Sequence, residues 1–124
     1  MTPLPAYSDL RRVGEVVTLA LDLSGECPAF EGHFPATPIL PAVAQVDWAI
    51  RLARENFRLP PHFNSLRSLK FLRVVQPPVR LTLELVATAD GRGVTFSYAR
   101  EGAACSTGRI EFSDDAAGPD RSLL

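Results

Sequence analysis

The sequence predicts an α+β domain in which an antiparallel sheet curls around one long helix. Three observations carry this. A proline-punctuated loop gives way, after Pro41, to a run with the apolar spacing of a helix face. Segments in which apolar and polar residues alternate follow it, and one precedes the loop. Glycine-containing turn signals separate those segments. A sheet with one apolar face and a helix with one apolar stripe have a simple joint solution, which is to bury each other.

Taken in order, residues 1–12 are expected to be a loose lead-in, because Pro3 and Pro5 break regular structure. Residues 13–23 read as the first strand: Val17, Leu19 and Leu21 alternate with Thr18, Ala20 and Asp22. Ser24-Gly25-Glu26 is a turn signal. Pro35, Pro38 and Pro41 fall at every third position, and each fixes φ and biases the residue before it toward extended geometry. No helix runs through that stretch. Beyond it a helix is expected over residues 42–57, closed by Pro60-Pro61. Its apolar stripe is read as Val43, Val46, Ile50, Ala53 and Phe57. Asp47 lies on the same stripe, four after Val43 and three before Ile50. A carboxylate there is costly to bury unless it is paired or used.

The rest of the chain reads as a four-strand meander. Residues 65–75 are rich in β-formers and end at Gln76-Pro77-Pro78. Residues 79–88 put Val79, Leu81, Leu83, Leu85 and Ala87 on one face. Asp90-Gly91-Arg92-Gly93 signals a hairpin, residues 94–100 follow, Glu101-Gly102 turns again, and residues 103–112 close the sheet. Residues 113–124 have little to bury and are expected to be disordered. The expected organisation is one domain over residues 13–112.

Composition narrows the function. A chain of 124 residues, 46% hydrophobic with a net charge of −1, can build one ordinary core. It lacks the basic excess of a nucleic-acid binder, and no apolar run reaches membrane-span length. Residues 1–6 lack the basic-then-apolar pattern of a secretory signal. Cys27 and Cys105 have no metal spacing, and two reduced thiols in a cytoplasmic protein is the preferred reading.

The run Gly32-His33-Phe34-Pro35-x-x-Pro38-x-x-Pro41-Ala42-Val43-x-x-x-Asp47 resembles the active-site segment of the β-hydroxyacyl-ACP dehydratases, enzymes of the hotdog fold. Their pattern is His-Phe-Pro-x-x-Pro-x-x-Pro-Gly followed by an acid on the central helix, and the offset from His33 to Asp47 matches without a gap. Ala42 stands where that family usually carries glycine. The stretch from Pro41 to Ala49 is most similar to the small dehydratases of aryl-polyene biosynthesis. A second, less specific match is Leu69-Lys70-Phe71-Leu72-Arg73-Val74-Val75-Gln76-Pro77-Pro78, similar to the family's Lys/Arg-Phe-x-x-x-Val-x-Pro strand.

The resemblance implies elimination of water from a β-hydroxyacyl thioester. That reaction needs a base for the α-proton, an acid for the departing hydroxyl, and donors for the enolate-like charge on the thioester oxygen. His33 is the expected base, since a neutral imidazole is available near neutral pH. Asp47 is the expected acid, or the group that holds the hydroxyl or a water. The oxyanion donors are expected to be the backbone N–H groups of Ala42 and Val43, where a helix start offers free N–H and its positive dipole end. Phe34, Ile39 and Val46 would line an acyl tunnel or serve equally as core. His62 is read as structural or solvent-facing, and Trp48 as core or dimer packing. The resemblance further implies no cofactor and no metal, an acyl carrier protein as substrate carrier, and a homodimer or higher homo-oligomer. A heterodimer with a related chain is the variant of that assembly. In the resembling enzymes the histidine of one protomer faces the acid of another. Arg51, Arg54, Arg58, Arg67, Lys70, Arg73 and Arg80 are candidates for steering an acidic carrier, or are ordinary solvated charges. Two other readings stay open: a hotdog thioesterase, and a non-catalytic dehydratase-like subunit. Retention of His33 and Asp47 argues against the second, and Ala42 argues weakly for it.

Overall fold

A computed structural model of the chain describes residues 3–30 and 38–115. Strands β1 (Tyr7–Val13) and β2 (Val16–Leu23) are followed by a 3-10 turn at Pro28–Phe30 and by the helix α1 (Ala42–Asn56). Then come β3 (His62–Phe71), β4 (Val79–Ala87), β5 (Gly93–Arg100) and β6 (Ala103–Ser113). The six strands form one sheet in the order β1-β2-β4-β5-β6-β3, and every neighbouring pair is antiparallel. This is the hotdog architecture. The core lies between the sheet and α1.

The alternation read in the sequence sets the sheet's inner face. Leu81, Leu83 and Leu85 of β4 are fully buried, and Val94, Phe96 and Tyr98 of β5 lie beside them. Leu83 pairs with Leu19 on one side and Tyr98 on the other, and Leu85 pairs with Val17 and Phe96, so apolar residues line up across three strands. The two-residue turn between β5 and β6 places Glu101 at φ 51° and Gly102 at φ 81°. Two positive φ values give a turn whose twist matches the strands it joins.

Three expectations are corrected. Most of the expected lead-in is not loose: Tyr7–Val13 is an edge strand on β2, with Arg12 opposite Val17 and Val13 opposite Val16. The segment is also tied to the helix. The indole Nε1 of Trp48 donates to the Pro3 carbonyl at 3.2 Å, and the Arg12 guanidinium lies 4.9 Å from the centre of the Phe57 ring. The prolines at 3 and 5 precede the strand and leave it intact, because pairing begins only at Tyr7.

The four strands after the helix are not a simple meander. β4, β5 and β6 are one, but β3 enters at the far edge of the sheet, against β6, with Leu66 opposite Ile110. β3 also stops at Phe71 rather than continuing to residue 75. The N–H groups of Leu72 and Arg73 converge on the single Cys105 carbonyl, at 2.8 and 3.2 Å, and the ladder cannot continue past that point.

The helix stripe is rotated from the expected one. The buried face is Ala44, Gln45, Trp48, Ala49, Leu52 and Ala53, while Val43 is 74% exposed. Val46 and Ile50 are half-buried at the margin of the core. The three buried alanines let the helix approach the sheet closely, and Trp48 fills the space between them. The described residues end at 115, so most of the tail expected to be disordered lies outside them.

Leu52 is fully buried on the inner face of α1. Leu52→Ala is expected to destabilise the fold by about 2–5 kcal/mol through lost burial and a residual cavity. Urea unfolding followed by the fluorescence of Trp48, the only tryptophan, measures this.

Candidate active site

The site is organised by the start of α1. The residue before the helix, Pro41, has φ −63° and ψ 147°, and no side chain caps the helix. The first turn carries no acidic residue. The first N–H groups of a helix have no partner within it, and no side chain among the described residues caps them. Ala42 and Val43 are exposed residues at the positive dipole end of the helix. Ala42 lies within the regular helix and is not among the residues of positive φ, which are Asp9, Ser68 and Glu101 besides glycines. The alanine in the glycine position is therefore unstrained.

The approach to the helix is fixed by hydrogen bonds. The Leu40 N–H donates to the Val75 carbonyl at 2.8 Å, and the Gln45 side-chain amide donates to the Leu40 carbonyl at 3.2 Å. A groove of about 240 Å³ opens here, lined by Ile39, Leu40, Ala42 and Gln45 on one side. The chain following β3, from Phe71 to Val74, forms its other wall. Ile39 lies in the wall of this groove. Val46 lies half-buried against the core.

Asp47 lies on the outer side of α1, away from the buried face. Its side chain is 28% exposed, and one carboxylate oxygen is 3.4 Å from the Arg51 guanidinium one turn on. It is therefore not the deeply buried acid that the stripe suggested. A partly exposed pair at this spacing is worth a few tenths of a kcal/mol, about 0.3–0.5. His33 and Phe34 lie outside the described residues.

Sequence reading missed a buried polar group beneath the site. Gln45 is 4% exposed. Its side-chain oxygen accepts from the Ser106 hydroxyl at 2.7 Å, and its backbone carbonyl accepts from the Tyr98 hydroxyl at 2.7 Å. Burial pushes the Tyr98 phenol well above its ordinary value, and the nearby Asp47 charge acts in the same direction, so it stays a donor. A glutamine amid apolar helix positions was a visible signal. Its partners are 53 and 61 residues away, and no local pattern reports them.

The basic residues divide. Arg54 donates to the carbonyls of Pro60 and Pro61 and sits 4.6 Å from the Phe112 ring centre. Arg67 pairs with Glu111, and Arg80 pairs with Asp22 and Asp9. Arg73 lines the groove and donates to the Ala104 carbonyl. Lys70 and Arg58 are exposed. Among the described residues no helix is long and apolar enough to cross a membrane, and no three His, Cys, Asp or Glu side chains could jointly hold a metal ion.

Known proteins share this frame. The 3-hydroxyacyl-[acyl-carrier-protein] dehydratase FabZ of Ruminiclostridium cellulolyticum is 29% identical over 110 residues, covering 81% of this chain and 78% of that protein. FabZ of Latilactobacillus sakei is 30% identical over 104 residues, covering 75% of this chain and 74% of that protein. Among solved structures, a chain of the dehydratase heterocomplex ApeI:P from Xenorhabdus doucetiae superposes with a TM-score of 0.75 at 28% identity, covering 86% of this chain and 96% of that one. These likenesses define the molecule as a dehydratase of the hotdog class. The ApeI-like family model, described as ApeI dehydratase, matches residues 10–109, and the chain belongs to that family.

Tyr98 yields a pH-dependent prediction. Its folded-state value lies above the ordinary phenol value near pH 10, so above that pH the unfolded chain releases a proton that the folded chain keeps. Stability is then lost as pH rises through the ordinary phenol value. Tyr98→Phe is expected to cost about 0.5–1.5 kcal/mol at pH 7, the net worth of one hydrogen bond, and to flatten the alkaline loss. Urea unfolding of both proteins at pH 7 and above pH 10 checks it.

Proposed function

We propose that the protein eliminates water from a 3-hydroxyacyl thioester carried by an acyl carrier protein, giving the trans-2-enoyl thioester. The observation that carries this reading is the uncapped helix start at Ala42 and Val43, beside an apolar groove, with Asp47 on the same helix. Membership of a dehydratase family and the in-register offset to His33 support it.

In this mechanism the thioester oxygen lies at the N–H groups of Ala42 and Val43. His33 takes the α-proton, and the electron pair moves into an enolate whose charge those N–H groups hold. The pair then forms the carbon–carbon double bond as the β-hydroxyl departs, protonated by Asp47, as water. The proton on His33 passes back through solvent to Asp47 and resets the site. In the resting arrangement Asp47 faces Arg51, so the pair must part before Asp47 serves the hydroxyl. The thioester's acyl chain would extend along the groove past Ile39.

The working site is proposed to span two chains, a homodimer or a heterodimer with a related chain, with His33 of one facing Asp47 of the other. The apolar residues exposed beside the groove support this: Phe71 at 47%, Leu72 at 55% and Val74 at 59%. Arg73 at the groove and the exposed Lys70 would meet the acidic carrier, and the setting would be cytoplasmic, in aryl-polyene or lipid-like biosynthesis. The helical Ala42, without positive φ, supports the catalytic reading over a non-catalytic subunit.

The test is incubation with a 3-hydroxyacyl carrier protein, followed by mass spectrometry. Wild type should lose water from the acyl group, and His33→Ala and Asp47→Asn should each lower the rate by at least about a hundredfold, the low end for removing a general acid or base. An inert wild type would overturn the reading, and release of free acid would make it a thioesterase. A mutant at wild-type rate would remove that residue's role.

A further inference from the structure

We infer that Gln45 is a positioning residue for the proposed oxyanion site, acting through the Leu40 carbonyl and resting on the dehydratase reading above. The argument begins with cost. A buried amide in an apolar core is unfavourable unless its donors and acceptor are used. Gln45 is one of three buried polar residues in the described core, with Ser65 and Ser106. Its side-chain hydrogen bonds join the peptide that leads into α1 to Ser106 on β6.

Leu40 is gripped on both sides. Its N–H donates to Val75, in the segment between β3 and β4, and its carbonyl accepts from the Gln45 amide at 3.2 Å. The orientation of that amide is fixed by chemistry. A carbonyl only accepts, so the NH₂ group must face Leu40, which leaves the side-chain oxygen for the Ser106 hydroxyl at 2.7 Å. The backbone of Gln45 is held as well: its N–H donates to Pro41 at 3.2 Å, and its carbonyl accepts from Tyr98 at 2.7 Å. The first turn of α1 is thereby bolted to β5 and β6, and residues 40 and 41 are bolted to that turn. Ala42 and Val43 lie between these fixed points, so the direction of their N–H groups is set by the Gln45 amide. Gln45 also lines the groove, one side chain from where the thioester would lie. Pro41 has no N–H to donate, so its carbonyl makes its hydrogen bond to the turn.

Gln45→Met keeps length and volume but cannot donate to Leu40. Ser106→Ala keeps the Leu40 bond and removes only the hydroxyl behind it. Two measurements separate the outcomes. Hydrogen–deuterium exchange across residues 38–46 should be about tenfold faster in Gln45→Met than in wild type, the order expected for one lost hydrogen bond, with Ser106→Ala closer to wild type. With 3-hydroxyacyl carrier protein, kcat of Gln45→Met should fall by about ten- to a hundredfold while KM stays within about threefold, as expected for misplaced donors. Ser106→Ala should retain most of kcat. If wild type dehydrates and Gln45→Met matches its kcat, or if exchange is unchanged, the inference is overturned. If Gln45→Met fails to fold, Ser106→Ala judges it: a kcat as low as that of Asp47→Asn would show that the core polar cluster as a whole, and not the Leu40 bond, governs the site. An inert wild type defeats the dehydratase reading, and exchange alone then decides whether Gln45 holds the helix entry.

Discussion

Burial of one face of α1 against the inner surface of the sheet is the constraint on which the rest depends. Trp48, Ala49, Leu52 and Ala53 have no exposed surface, and they face strands whose inner leucines and aromatics are equally buried. Full burial of a leucine-sized side chain is worth about 1.5–3 kcal/mol, far more than the Asp47–Arg51 pair on the opposite side. The rotation of the helix is therefore decided by the core, and the functional face is whatever remains. Asp47 is partly exposed because Trp48 and Ala44 are not.

The same contact explains why the core tolerates polar atoms. Gln45 occupies the edge of the buried face, where the helix meets the incoming chain. An apolar residue there would bury well but leave the Leu40 carbonyl without a partner. The hydrogen bonds from Ser106 and Tyr98 offset the cost of the glutamine and tie two neighbouring strands to the helix start. Hydrophobic burial sets where the helix lies, and these directional bonds set where it begins.

Much of this was legible in the sequence, for identifiable reasons. β4, β5 and β6 alternate cleanly because one face of each meets the helix and the other meets solvent, so a period of two survives in the residues. The proline spacing marked the helix start to the residue. β1 was missed because all seven of its residues are exposed. With no buried face it has no alternation to read, and it is a strand only because β2 presents an edge to it. The position of β3 was missed because pairing order is non-local: nothing in residues 62–71 indicates β6 rather than β4. The helix stripe was misassigned because Val43, Val46 and Ile50 are as apolar as the residues that pack. Small alanines at 44, 49 and 53, which allow close approach, were the better sign of the inner face. The motif residues were legible by resemblance alone, and the hydrogen-bond network beneath them was not legible at all.

The misassigned stripe carries a physical consequence. A single chain leaves Val43, Phe71, Leu72 and Val74 exposed around the groove, and β3 offers an unpaired edge at the same side of the sheet. Apolar surface beside an open strand edge is a liability in an isolated domain, and natural proteins cover or charge such edges. β3 does carry Arg67 and Lys70, but its last turn into the groove is apolar. The second stripe on α1 has a purpose under the proposed two-chain site: one stripe faces the chain's own sheet and the other faces a partner. Asp47 then sits at the boundary of the two, where a partner's approach would exclude water from a carboxylate held in solution by only a weak pair. Under that proposal, a helix with two apolar stripes and an acid between them would be the sequence counterpart of a site completed by association.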